Sequence, residues 1–228
     1  MPEQMRVEIT PNQRVTANVY PAAKPDQACA TLILAHGAGA GQTSGFMVRS
    51  ATELAARGIN VVTFNFLYTE QGRRVPDTNN NLEACFRAAI ETVRHTKIGR
   101  LKLAIGGKSM GGRIASQIAA ASSLNVEGLV FLGYPLHPPG KADQLRAKHL
   151  SDITVPMLFV QGSRDAFGTP DELRPIIKTL KAPADLYVVE NGDHSFKVLK
   201  RAGVTQEDTY KAVLDRIELW LRHTFATC

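Results

Sequence analysis

The sequence predicts a three-layer α/β/α sandwich with a mostly parallel sheet, antiparallel strands at its N-terminal edge and no large cap domain. Three observations predict it. Short apolar runs rich in branched residues recur along the chain, stretches with helical spacing separate them, and the 228 residues fit one domain, 1–228, against a usual ~150 and a common upper range of ~250.

At the start, Arg6 to Thr10 and Val15 to Tyr20 alternate across Pro11 and Asn12, which predicts a hairpin of antiparallel edge strands. The buried-strand candidates follow at Thr31 to Ala35, Ile59 to Phe64, Leu101 to Ile105, Gly128 to Leu132, Met157 to Gln161 and Ala184 to Val189. Between them, Leu82, Phe86, Ala89, Ile90 and Val93 mark one helix, and Ile114, Ile118 and Ala121 another. A last helix carries Tyr210, Val213, Leu214, Ile217, Trp220 and Leu221 along one stripe, with Trp220 expected in the core. Two longer irregular segments, Tyr68 to Asn80 and Gly133 to Val155, leave the carboxyl ends of predicted strands, where open α/β sheets bind ligands. The second is too short to hold a cap domain, so the cleft is expected to be open and to favour short-chain over long-chain acyl substrates.

Composition narrows the function classes. Hydrophobic residues make up 44% and charged residues 21%, an ordinary globular balance. No apolar run approaches the roughly 18 residues of a membrane span, and Met1 to Thr10 lacks the apolar stretch of a signal peptide, so a cytoplasmic protein without membrane attachment is expected. Cys29, Cys85 and Cys228 have no C-x-x-C spacing, which argues against a disulfide framework or a zinc knuckle. The net charge of +6 comes from scattered residues. Its densest group, Lys197, Lys200 and Arg201, lacks the aromatic interleaving of a nucleic-acid site, so no nucleic-acid partner is expected.

The chemistry concentrates in Gly106-Gly107-Lys108-Ser109-Met110-Gly111-Gly112, between a predicted strand and a predicted helix. Gly107, Ser109 and Gly111 complete G-x-S-x-G, the pattern of a serine held on a strained turn where flanking side chains would strike neighbouring backbone. The helix behind it aims free N–H groups and its positive dipole end at the serine. A serine hydroxyl needs a base to take its proton and an acid to orient that base. Asp165 follows one predicted strand in Gly162-Ser163-Arg164-Asp165, and His194 follows another in Asn191-Gly192-Asp193-His194. Asp165 is preferred as the acid over the nearby Asp171 and over Asp193, which reads as a turn residue. The loop His36-Gly37-Ala38-Gly39 places the backbone N–H of Ala38, with that of Met110, as the two oxyanion donors. His36 reads as a structural residue of that loop, Lys108 as packed or paired at the elbow, and His95, His149 and His223 as solvated. His137 and Tyr134, in Tyr134-Pro135-Leu136-His137-Pro138-Pro139, are expected to border the site as substrate contacts.

From Thr31 onward the HGAGAG loop, GGKSMGGR elbow, GYPLHPPGK segment, GSRDAFG turn and GDHSF ending resemble the α/β-hydrolases, in the branch that includes testis-expressed protein 30 and bacterial dienelactone-hydrolase-like relatives. The resemblance implies an α/β-hydrolase fold and a serine hydrolase acting on a small-molecule acyl substrate. Ser109 stands where the dienelactone hydrolases proper have a cysteine, so a lactone substrate is not implied.

The expected activity is cleavage of a carboxylic ester or thioester through an acyl-enzyme. Amidase, peptidase or acyltransferase chemistry with the same triad is the alternative, as is a non-catalytic interaction module on this scaffold. No metal or organic cofactor is needed by this chemistry. A phosphate loop would require glycine where Lys102 stands, and a dinucleotide fingerprint fails at Gln42 or Ser44.

Overall fold

Strands whose side chains are apolar on both faces must be covered on both faces, and that requirement organises the molecule. The computed structural model describes residues 2–121, 124–199 and 203–225; Cys228, Lys200 and Arg201 lie outside the described residues. A hairpin of β1 (Glu3–Thr10) and β2 (Gln13–Tyr20) leads into β3 (Ala30–Ala35), α1 (Gly45–Ala56), β4 (Ile59–Phe64), the single turn α2 (Leu67–Glu70) and α3 (Asn79–Arg94). There follow β5 (Leu103–Lys108), α4 (Met110–Ala121), β6 (Gly128–Leu132), β7 (Met157–Gly162), α5 (Pro170–Ile177), β8 (Ala184–Val189) and α6 (Gln206–Phe225). The eight strands form one sheet in the order β1-β2-β4-β3-β5-β6-β7-β8. All neighbours from β4 to β8 pair in parallel; β2 pairs antiparallel with both β1 and β4. The α/β-hydrolase architecture expected from sequence is therefore the one present, with no cap domain among the described residues.

Each face has its own core. On one, Phe64, Phe86, Phe131 and Phe159 pack with α3, α4 and α5. On the other, Met47 and Leu54 of α1 meet Val213, Ile217 and Trp220 of α6 over Leu32, Val130 and Val160. Trp220 is buried as expected and donates its indole N–H to Asp185 Oδ2 at 2.9 Å.

The predicted strands at Ile59, Gly128 and Ala184 have the observed bounds, but β5 runs later than the expected Leu101 to Ile105. Gly106 and Gly107 read as a turn in sequence. In the fold they extend the strand, because a Cβ on Gly106 would lie 1.9 Å from Val130 O, so only glycine lets β6 approach so closely. The Tyr68 to Asn80 segment is less irregular than expected, since α2 includes Tyr68 and α3 begins at Asn79.

Because β3 has β4 on one side and β5 on the other, the chain's crossings change direction between β3 and β5. The crevice at the carboxyl ends of these two strands is where such sheets take ligands. The loop containing Ala38 and the turn containing Ser109 flank it.

Candidate active site

Ser109 has φ +51°, a left-handed conformation that strains a residue with a Cβ. The surroundings hold it there: its N–H donates to Leu132 O at 3.0 Å, and its carbonyl accepts from Arg113 N–H at 3.1 Å, starting α4. The elbow also needs Gly111, where a Cβ would stand 2.4 Å from Ala35 O and 2.8 Å from His36 O.

The structure brings together the three residues drawn from β5, β7 and β8. Ser109 Oγ lies 2.8 Å from His194 Nε2, and His194 Nδ1 lies 2.7 Å from Asp165 Oδ2. An ionised carboxylate can only accept, so the proton of the neutral imidazole sits on Nδ1, and Nε2 presents its lone pair to the serine hydroxyl. In this arrangement the serine proton has a path to an imidazole whose emerging charge faces a carboxylate. Asp165 is buried and His194 remains partly exposed where it lines the pocket, so its imidazole is open to a ligand.

Two residues that sequence reading missed complete the geometry. Gln161 is fully buried at the end of β7; its Nε2 donates to Asp165 Oδ2 at 2.8 Å and Gly168 O at 2.7 Å, while its Oε1 accepts from Tyr134 N–H at 2.8 Å. Asp165 Oδ1 accepts from Phe167 N–H at 2.8 Å, and the Phe167 ring lies over His194 with centroids 4.3 Å apart. A polar residue closing an otherwise apolar strand was the one signal available for Gln161.

Asp193 accepts from the N–H groups of Ser195 and Lys197, at 2.7 and 2.9 Å, and so folds its own loop, while Asp171 is exposed beside Arg174. Ala38 and Met110 both border the pocket at Ser109. Met110 opens α4, so its N–H has no intrahelical acceptor, and the Ala38 carbonyl is pinned by the Tyr68 hydroxyl at 3.0 Å. His36 is buried, with Nδ1 2.8 Å from Gly37 O and Nε2 accepting from Phe66 N–H at 3.1 Å. Burial lowers its pKa, in keeping with a neutral strut behind the loop.

Other placements differ from expectation. Tyr134 and His137 do not reach the pocket. Tyr134 is buried in the core with its hydroxyl donating to Arg146 O at 2.9 Å, and burial pushes it up to about 12. His137 is buried between Pro138 O at 2.8 Å and Glu172 Oε1 at 3.2 Å, where it braces the acid loop through its N–H to Phe167 O. Both rings are thus buried rather than bordering the site as expected. His149, expected in solvent, is half-buried with Nε2 2.7 Å from Ser116 Oγ. That pair is not a second nucleophile: Ser116 spends its proton on Arg113 O at 2.7 Å and so accepts from the imidazole.

Lys108 packs as expected but finds no pairing. Its ammonium is buried without a hydrogen-bond partner among the described residues, and burial pulls its pKa down to about 8 against the opposing pull of Asp165 and Asp193. A Cβ on Gly133, itself at φ +67°, would lie 3.0 Å from Lys108 Nζ and 3.2 Å from His194 Nδ1. The Lys108 ammonium and the Nδ1 edge of the His194 imidazole thus both border Gly133.

The pocket has a volume of about 780 Å³ and lies across the carboxyl ends of the central strands. Phe46 and Met47 of α1 with Leu214 and Ile217 of α6 form one apolar wall; Leu82, Met110 and Pro135 form the opposite one. Among the described residues no helix is long and apolar enough to cross a membrane, and no group of three or more His, Cys, Asp or Glu is placed to hold a metal ion.

The chain is similar over most of its length to several solved structures. A dienelactone hydrolase from Anabaena variabilis superposes with a TM-score of 0.75 at 20% identity, covering 97% of this chain and 98% of that one. Est1E from Butyrivibrio proteoclasticus gives 0.76 at 13% identity over 98% and 99%. An α/β serine hydrolase without a lid from Xanthomonas campestris gives 0.69 at 23% identity over 98% and 93%. These likenesses are of fold. The family model described as the alpha/beta hydrolase domain matches residues 28–222, and the chain belongs to that family.

Proposed function

We propose that the protein is a serine hydrolase that cleaves a carboxylic ester or thioester through an acyl-enzyme. The observation that carries this reading is the continuous Ser109–His194–Asp165 hydrogen-bond chain at the wall of an open pocket. His194 Nε2 takes the hydroxyl proton as Ser109 Oγ attacks the carbonyl, and Asp165 faces the imidazolium that forms. The tetrahedral oxyanion receives the N–H groups of Ala38 and Met110, each worth ~10² to 10³ in rate when aligned. His194 then returns the proton to the leaving group, and a water activated by the same nitrogen releases the acyl group. No step calls for a metal or an organic cofactor.

The esters come first because the cleft is unlidded and the leaving group departs from a partly exposed histidine, conditions that suit a good leaving group better than an amine. Parallel kinetics of wild type and Ser109→Ala on a panel of esters, thioesters and anilides test the reading. Turnover of esters or thioesters that falls by ~10⁴ or more in the variant is expected. Equal residual rates in both proteins, or cleavage of anilides alone, would overturn it.

A further inference from the structure

The pocket's charge is lopsided. Its walls include Arg49, Lys108, Arg113, Arg146 and Lys197, against one carboxylate, Asp77. Asp77 is already used: Oδ1 pairs with Arg73 at 2.6 Å and Oδ2 accepts from Tyr68 N–H at 2.9 Å. Arg49 is likewise committed, to Glu53 and Glu207, with its guanidinium over the Tyr210 ring.

Arg113 and Arg146 are different. Among the described residues neither forms an ion pair. Arg113 stands one turn of α4 beyond Ser109, about 6 Å along the axis. It is half-buried and held by neutral acceptors only, Gln117 Oε1 at 3.1 Å and Asn79 Oδ1 at 3.3 Å. Arg146 arrives on the long segment after β6, and its backbone is fixed from both sides: its N–H donates to Leu136 O at 2.7 Å and its carbonyl accepts from Tyr134 Oη at 2.9 Å. The two guanidiniums repel. Burial and, next, the Arg146 charge lower the Arg113 pKa, and the Glu83 carboxylate opposes them more weakly. Two like charges lining one pocket, neither ion-paired with a carboxylate among the described residues, repel each other, and an anionic ligand placed between them relieves that repulsion.

We infer that the Arg113–Arg146 wall is an anion subsite, and that the substrate is an amphipathic ester or thioester carrying a carboxylate or phosphate, its hydrocarbon part lying between α1 and α6. The inference rests on the hydrolase reading and sharpens it to a substrate class. Arg113 and Arg146 would be specificity-determining residues, distinct from the groups that move protons.

The test pairs each anionic ester with a neutral isostere. On the acyl side these are p-nitrophenyl hydrogen glutarate and p-nitrophenyl pentanoate. On the alcohol side they are 4-(butanoyloxy)benzoate and 4-(butanoyloxy)phenyl phosphate, each against phenyl butanoate. In the wild type at low salt, at least one anionic member is expected to exceed its neutral partner in kcat/KM by about tenfold. High salt should reduce that ratio, and Arg113→Gln/Arg146→Gln should bring it to one or below. The benzoate and phosphate arms separate carboxylate from phosphate recognition. A wild type that prefers none of the anionic esters, or a preference that survives the double variant, would overturn the inference while leaving the hydrolase reading intact. If no ester is turned over and Ser109 resists acylating probes, the hydrolase reading fails. The subsite is then judged by calorimetric titration with glutarate mono-butylamide: binding lost in the double variant supports it, and no binding to the wild type sinks it.

Discussion

Gln161 shows how a side chain with no reactive chemistry can govern a reactive one. Its amide is the donor that holds Asp165 Oδ2, the oxygen facing His194, so Gln161→Leu should leave the carboxylate with fewer bonds and a looser aim. The expected result is a fall in kcat of about tenfold with a loss of about 1–3 kcal/mol in stability, read by steady-state kinetics and denaturant unfolding. Lys108 works in the opposite sense, as a buried cation without a partner. Its folded pKa of about 8 lies below the ordinary 10.5, so below pH 8 the lysine is charged in both states and the folded state carries the full penalty. As pH rises from about 8 to 10.5 the unfolded chain holds more protons, and stability should climb until the penalty vanishes. A drop from 10.5 to about 8 corresponds to ~3 kcal/mol as an upper bound, so Lys108→Met should be more stable than wild type at pH 7, with the difference disappearing near pH 10.5 in unfolding curves. Ser109, Asp165 and His194 were legible because each follows a predicted strand, glycines flag their turns, and they occur in the order that an elbow serine, an acid and a base require. Gln161, Phe167 and the Arg146 guanidinium were not, since ordinary side chains acquire these roles only from what lies across space from them.

At the scale of the elements, the turn from β5 into α4 bears the most constraint. Gly111→Ala would place a methyl 2.4 Å from Ala35 O, so the loop before α1 must move away from the elbow. We expect a loss of about 1–3 kcal/mol in unfolding free energy together with a collapse of ester turnover, because the same shift displaces Ala38. The acid loop is held from the other side by α5, which opens with a capping box between Thr169 and Glu172. Thr169→Ala should cost ~1 kcal/mol, measured by thermal or denaturant unfolding. Sequence reading placed the strands well because a buried parallel strand is a continuous apolar run. It gave no account of α1 or α5: α1 has a narrow stripe of Met47, Ala51 and Leu54, and α5 is eight residues with an internal proline. It also ended β5 too early, because a glycine that admits a neighbouring strand looks, in one dimension, like a glycine that ends one.

Taken whole, the molecule is a sheet that gathers loops from β3, β5, β6, β7 and β8 at the carboxyl ends of its strands, leaves them uncapped among the described residues, and sets α1 and α6 on one flank of the pocket and Leu82, Met110, Arg113 and Arg146 on the other. Without a lid, the part of a long chain that extends past the α1–α6 wall stays in water, so short-chain p-nitrophenyl esters are expected to be turned over faster than long-chain ones. Ile217→Trp, which fills the α1–α6 wall, should lower kcat/KM for octanoate relative to acetate by about tenfold if that wall receives the hydrocarbon. The overall architecture was legible in the alternation of runs and spacings, whereas the pocket's walls were not, because they come from helices on opposite sheet faces. All of this depends on Ser109 being a nucleophile with its base in place. The most direct measurement is mass-spectrometric mapping of a fluorophosphonate adduct on the intact protein: a single adduct on Ser109, abolished in Ser109→Ala and strongly slowed in His194→Ala, is the expected result. A folded wild type that stays unmodified, or an adduct on another residue that persists in Ser109→Ala, would contradict the account.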